Sequence, residues 1–177
     1  MTKLIILDRD GVINHDSLQY IKSEDEFNLI PGSIDAIAKL TKADYKIGIA
    51  TNQSGLARGY YDDGRLSAIH DVLIDAVTDA GGAIDIIEHC PHMPDSGCIC
   101  RKPNPGMLLS IAEQLNIDIT GVPFVGDRIS DIQAAEAVDA RPFLILSSMT
   151  DTDMLKVYPH VPVFNSLIEC VDALLME

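Results

Sequence analysis

Short apolar runs recur along this chain, and each is followed by a stretch with apolar residues at helical spacing. Lys3 to Leu7 reads as a buried strand, stopped by Asp8, Asp10 and Gly11. Lys46–Ala50, Ala83–Ile87, Val122–Val125, Phe143–Leu146 and Val161–Phe164 read the same way. A helix is expected from Pro31-Gly32-Ser33, with Ile34, Ile37, Ala38 and Leu40 on one face. Others run from about Gly64 to Ala80, closed by Gly81-Gly82, and from an Asn104 cap with Pro105 at the first helical position to Leu115. Two more start at Ser130 or Asp131 and at a Ser166 cap, ending near Val138 and Leu175. Residues 14–30 lack periodicity and read as an irregular loop or small hairpin. Strands alternating with helices specify a parallel sheet covered on both faces. The expected fold is therefore three-layer, Rossmann-like α/β, as one domain over residues 1–177. Ligands of such sheets bind beyond the carboxyl ends of the strands, where the strand order reverses. Here those ends hold Asp8, Thr51, a cysteine-rich loop and Asp127.

Charge narrows the partners. Thirteen Lys and Arg against 27 Asp and Glu leave a net charge of 13 − 27 = −14. Such a chain repels nucleic acid and anionic lipid surfaces, so neither is an expected partner. A phosphorylated substrate would need a local cation, either a metal or a few aimed Lys and Arg side chains. No apolar stretch approaches the roughly 20 residues of a membrane span. The N-terminal apolar run, Leu4 to Leu7, is too short for a signal peptide. A cytoplasmic protein, acting as a monomer, is expected.

Asp8-Arg9-Asp10-Gly11 places two carboxylates at one strand end, where both can approach a hard cation such as Mg²⁺. One of them can also attack phosphorus while its neighbour moves a proton. An Asx turn that merely ends the strand is the plainer alternative. Asp127, after the fourth strand, offers a third carboxylate; Asp131 either supports it or caps the next helix, and the cap is favoured. Thr51-Asn52-Gln53-Ser54-Gly55 supplies a hydroxyl, amides and a glycine turn suited to phosphate oxygens, although ordinary turns share this composition.

Cys90, His92, Cys98 and Cys100 stand as C-x-H-x₅-C-x-C. Three thiolates and an imidazole can close a tetrahedral Zn²⁺ shell with no open position, which makes the metal structural. His89 beside the cluster reads as packing or as support for a ligand. Arg101-Lys102 follows immediately, so a metal-knotted loop would aim two cations at the acidic centre. Cys170 reads as a buried core thiol.

Asp8-Arg9-Asp10-Gly11, Thr51-Asn52, Lys102 and Gly126-Asp127 resemble, in order and spacing, the four motifs of the haloacid dehalogenase superfamily of phosphohydrolases. Within it, TNQSGLARG (51–59), CPHMPDSGCIC (90–100) and RKPNPGM (101–107) resemble the sugar-bisphosphate phosphatases of the histidinol-phosphatase-like branch. The resemblance implies Asp8 as nucleophile, Asp10 as general acid and base, and Thr51 and Lys102 as stabilisers of the transferring phosphoryl group. It implies Mg²⁺ held by Asp8, the Asp10 backbone carbonyl and Asp127, with Zn²⁺ in the loop. Asp16, Tyr20, Asn52, Gln53, Ser54, Arg101 and Arg128 would contact a phosphorylated sugar, a heptose bisphosphate first. Val12 stands where many relatives have Thr, and Arg128 is shared with enzymes that act on histidinol phosphate, which is the rival substrate.

The interval from Gly11 to Pro31 leaves no room for a large cap domain, which favours hydrolysis over transfer. A receiver-like phosphoacceptor domain would need an Asp after the third strand, where this chain has Glu88-His89-Cys90. A zinc-stabilised interaction module would leave Asp8, Asp10, Thr51, Lys102 and Asp127 unexplained.

Overall fold

The computed structural model describes residues 2–177. Strand β1 (Lys3–Leu7) buries Leu4, Ile5, Ile6 and Leu7 alike, because its two faces are both covered. β2 (Tyr45–Asn52) and β3 (Ile86–Cys90) lie on one side of it. β4 (Pro123–Gly126), β5 (Arg141–Ile145) and β6 (Val163–Phe164) lie on the other. All pairings are parallel, in the order β3-β2-β1-β4-β5-β6. The chain leaves β3 at one edge and re-enters beside β1 as β4. The order therefore reverses between β1 and β4, and their carboxyl ends open the crevice where such folds bind ligands.

The helices sort onto two faces. α1 (Ser33–Lys42), α2 (Asp63–Asp79) and α6 (Leu167–Leu175) share a core with Ile5, Leu7, Ile47 and Ile49. α3 (Gly106–Gln114) and α4 (Ile129–Glu136) cover Leu4, Ile6, Ala50 and Phe124 opposite. Alternate strand residues thus serve opposite layers, and each buried Ile or Leu contributes about 1.5–3 kcal/mol. The three-layer expectation holds. A short α5 (Thr152–Leu155) and a 3₁₀ turn at Glu24–Glu26 complete the elements.

Several boundaries move. β3 is displaced toward the C-terminus of the expected Ala83–Ile87, because Asp85 serves as an anchor: its carboxylate accepts Ile47 N–H at 2.8 Å and Lys46 Nζ at 3.0 Å. Asn104 does not cap α3. Its side chain donates to Cys98 O at 2.9 Å and the helix begins at Gly106, tying the cysteine loop to α3. Residues 14–30 form a loop closed by an antiparallel bridge between Asn14 and Leu29.

Candidate active site

Asp8 is the first residue past β1, and its Oδ1 accepts from Arg9 N–H at 2.8 Å and from Lys102 Nζ at 2.9 Å. Neither contact uses Oδ2. Lys102 is 4% exposed and also reaches Asp131 Oδ1 at 2.8 Å and Ala50 O at 2.9 Å. Burial opposes its charge, but Asp131 and Asp8 more than offset this and hold the ammonium protonated. Burial, only partly countered by Lys102, raises the Asp8 carboxyl well above its usual range, and Asp131, Asp127 and Asp10 add to the rise.

Asp127 lies past β4, fully buried, and accepts from Ser147 Oγ at 2.6 Å through Oδ2. Its Oδ1 is buried with no partner. Burial and the charge of Asp131 push this carboxyl up to about 6. Asp131 takes the expected capping role and a second one that the sequence reading did not include. Its Oδ2 accepts from Asp127 N–H and Arg128 N–H, both at 3.0 Å, as a helix cap, while its Oδ1 holds Lys102. Gly11 makes the convergence of the two loops possible. Its φ is +84°, and a Cβ there would meet Asp127 Oδ2 at 2.0 Å.

Carboxylate oxygens of Asp8, Asp127 and Asp131 lie within 4.8 Å of one another. Three carboxylates against the single Lys102 ammonium leave two negative charges uncompensated, and Asp127 Oδ1 is an orphaned acceptor. A divalent hard cation fits that deficit and that oxygen-only donor set.

Asp10 faces a different group. Its Oδ1 accepts from Arg9 Nε (3.1 Å), Arg9 Nη2 (2.9 Å) and Asn14 Nδ2 (2.8 Å), and its Oδ2 from Gln53 Nε2 (3.1 Å). Burial opposes ionisation here too, but Arg9 and these donors bring the carboxyl below its ordinary value. Arg9 is itself completely buried, stacks on Phe27, and places Nη1 3.1 Å from His70 Nε2.

A cleft of about 580 Å³ opens over these groups. Asp8, Asp10 and Lys102 form part of its floor, and Thr51 and Asp127 lie buried behind them. Of the expected substrate contacts, Asn52, Gln53, Ser54 and Arg101 line it from the sheet side. Asp16, Tyr20 and Arg128 line it from the loop side, where Arg128 Nη2 pairs with Asp16 Oδ2 at 2.9 Å. Two of these side chains prove to be engaged internally. Asn52 brackets the Lys102 main chain, donating to its O and accepting from its N–H, both at 3.1 Å. Gln53 bridges Thr51 and Asp10. Arg101 Nη1 is buried with no partner.

The cysteine loop brings its four expected ligands together. Cys90 Sγ lies 3.7 Å from Cys98 Sγ and 3.1 Å from Cys100 Sγ, and His92 Nδ1 lies 3.4 Å and 3.2 Å from Cys90 and Cys100. Tetrahedral zinc with about 2.3 Å metal–sulfur bonds sets ligand atoms about 3.8 Å apart, so the set fits that metal after slight expansion. His89 does not join it and faces Asp63 of α2 at 4.0 Å.

Residue-type reasoning passed over Ser147, Thr150, Tyr61 and His70. Ser147 and Thr150 follow β5, and Thr150 Oγ1 donates to Asp127 O at 2.7 Å. Their position past a strand end was the available signal. Tyr61 and His70 carried none, since they arrive from α2 and the turn before it.

Known proteins agree with this geometry. The HAD-hydrolase-like family model matches residues 99–170. The D-glycero-β-D-manno-heptose-1,7-bisphosphate 7-phosphatase of Pseudomonas aeruginosa is 49% identical over 173 residues, 97% of each chain. The enzyme of that name from Bordetella bronchiseptica is 54% identical over 143 residues, covering 81% of this chain and 80% of its own. The crystal structure of D,D-heptose 1,7-bisphosphate phosphatase from B. bronchiseptica, complexed with magnesium and phosphate, superimposes with a TM-score of 0.91 at 46% identity over 98% of both chains. Fold and site together define a phosphoric monoester hydrolase of the haloacid dehalogenase type. Within that class, the chain belongs to the D-glycero-D-manno-heptose 1,7-bisphosphate 7-phosphatase family.

Proposed function

We propose that this enzyme removes the 7-phosphate of D-glycero-β-D-manno-heptose 1,7-bisphosphate through an aspartyl-phosphate on Asp8, in the synthesis of nucleotide-activated heptose for lipopolysaccharide or a surface glycan. The observation that carries the chemistry is the state of Asp8. Lys102 and Arg9 N–H hold its Oδ1, while Oδ2 is left for the cleft. Oδ2 attacks phosphorus, the bond to the sugar O7 breaks, and Asp10 protonates the departing oxygen. The dianionic phosphoryl group beside Asp10 raises its proton affinity against the pull of Arg9. Asp10 then takes a proton from water, whose oxygen attacks phosphorus, releasing inorganic phosphate and regenerating Asp8. Lys102 and the Thr51 hydroxyl stabilise the charge on the phosphoryl oxygens. Asp8, Asp127 and the Asp10 backbone carbonyl would hold Mg²⁺, which supplies further neutralisation when bound.

Arg101 supports a substrate with two phosphates. Its buried, unpartnered Nη1 is costly unless an anion joins it, and a second phosphate does so. Histidinol phosphate has only one. Cys90, His92, Cys98 and Cys100 would hold Zn²⁺ that fixes the loop carrying Arg101 and Lys102. Free thiols of this kind persist in a reducing compartment, in line with a cytoplasmic enzyme.

The test is phosphate release with Mg²⁺ from both anomers of heptose 1,7-bisphosphate and from histidinol phosphate, with Asp8→Asn alongside. Fastest release from the β-heptose compound, abolished in the variant, is expected. Preference for histidinol phosphate overturns the substrate, and normal turnover by Asp8→Asn overturns the nucleophile.

A further inference from the structure

The Gln53 amide is fully engaged inside the protein, and the direction of each of its hydrogen bonds can be derived. Asp10 accepts at both carboxylate oxygens, Oδ1 taking Arg9 Nε, Arg9 Nη2 and Asn14 Nδ2. The Gln53 atom facing Asp10 Oδ2 at 3.1 Å is therefore the NH₂ group. The other hydrogen of that NH₂ points at Thr51 Oγ1, 2.9 Å away. Oε1 must then face the opposite way, and there Tyr61 donates its O–H at 2.5 Å. Thr51, Gln53 and Tyr61 are each more than nine-tenths buried, so water does not scramble the pattern among them. Burial pushes the Tyr61 phenol up to about 12, which keeps it a donor at any working pH. Because Thr51 Oγ1 accepts from Gln53, its own proton is left over, and no acceptor among the described residues takes it.

We propose that Tyr61 is a positioning residue for phosphoryl transfer. By holding Gln53 Oε1, it completes with Asp10 the clamp on the amide that leaves the Thr51 O–H for the phosphoryl group, and it steadies the Asp10 carboxylate. This rests on the roles given above to Thr51 and Asp10. Without Tyr61 the amide is held at its nitrogen alone, by Asp10 and Thr51, and its carbonyl end loses its donor. The amide then swings more widely, and the Thr51 O–H that it orients loses its fixed aim at the phosphoryl group. The backbone is built around this ring. A Cβ on Gly55 would meet Tyr61 Cε1 at 2.2 Å and its hydroxyl at 2.8 Å.

The test uses the Mg²⁺-loaded enzyme with heptose 1,7-bisphosphate, and inhibition by orthovanadate as a mimic of the transferring group. Tyr61→Phe is expected to lower kcat about five- to tenfold, the worth of one well-aimed hydrogen bond, with KM within about twofold. Orthovanadate inhibition is expected to weaken by the same factor. Gly55→Ala, which displaces the ring but keeps the phenol, is expected to give the same signature. The double variant Tyr61→Phe/Gln53→Met is expected to be no worse than Gln53→Met alone, because Tyr61 acts through Gln53. Unchanged kcat and orthovanadate affinity in both Tyr61→Phe and Gly55→Ala overturns the proposal, as does full additivity in the double variant. Thr51→Val and Asp10→Asn separate the two levels. If they keep normal turnover, the underlying reading has failed; if they lose it while Tyr61→Phe does not, only the role of Tyr61 has failed.

Discussion

Ser147 Oγ donates to Asp127 Oδ2 at 2.6 Å, reaching from the loop past β5 to the loop past β4. The bond leaves Oδ1 as the carboxylate oxygen free for a cation. Hydrogen bonds to a metal-binding carboxylate fix its orientation, and their loss typically weakens metal affinity 10–100-fold. Ser147→Ala is therefore expected to raise the Mg²⁺ concentration for half-maximal activity by about tenfold or more. Turnover at saturating Mg²⁺ should change little. A Mg²⁺ titration of activity checks this.

Asp8→Asn is expected to abolish turnover without unfolding the protein. The substitution keeps the shape that Lys102 contacts while removing a charge that burial, Asp131, Asp127 and Asp10 all disfavour. Lys102→Met should behave in the opposite way for stability. It leaves Asp8 and Asp131 buried without a cation, which costs about 3–5 kcal/mol. Thermal melts of the two variants, measured side by side, test the contrast.

In the cysteine loop, Cys98→Ser is expected to lower metal content and melting temperature far more than it changes the Mg²⁺ requirement. The four ligand atoms lie together, whereas the loop has few other ties: Asn104 to Cys98 O and the Gly106 N–H to Ile99 O at 3.0 Å. Elemental analysis with a melting curve tests this. Unchanged zinc content and melting would count against a structural metal.

His70 sets a pH dependence of stability. Burial, and then the positive charge of Arg9, lower its pKa to about 4, against about 6.5 in the unfolded chain. Between those values the unfolded state binds a proton that the native state refuses, so stability falls as pH drops from about 6.5 toward 4 and levels off below. Between pH 7 and pH 5 the loss is about 2 kcal/mol. His70→Gln retains an acceptor for Arg9 but has no proton to gain, so its stability should depend less on pH over this window. Urea melts at both pH values measure the difference.

Strand ends proved the most legible part of the chain. Asp8, Thr51 and Asp127 were locatable because a buried strand must stop somewhere, and polar residues at that stop stand out against the apolar run. β3 was misplaced for the converse reason. It is an edge strand, so Glu88 and His89 are tolerated inside it and the apolar run no longer marks its extent. The Gln53 amide could not be read at all. Its type suits a substrate as well as a scaffold, and only the approach of Tyr61 and Asp10 decides between them. Asp131 was weighed as either a cap or a support. Its Oδ2 caps the helix and holds the Asp127 N–H, while its Oδ1 takes Lys102, a partner 29 residues back that residue type and spacing do not reveal.

Asp8 and Asp10, just past the end of an inner strand, form part of the floor of the cleft, and two excursions, 14–30 and 91–100, supply part of its wall. Wall and floor nevertheless meet at two points: Asn14 donates to Asp10, and Arg101 precedes Lys102 directly. A change in either excursion is therefore felt at the reactive centre through Asp10 or Lys102.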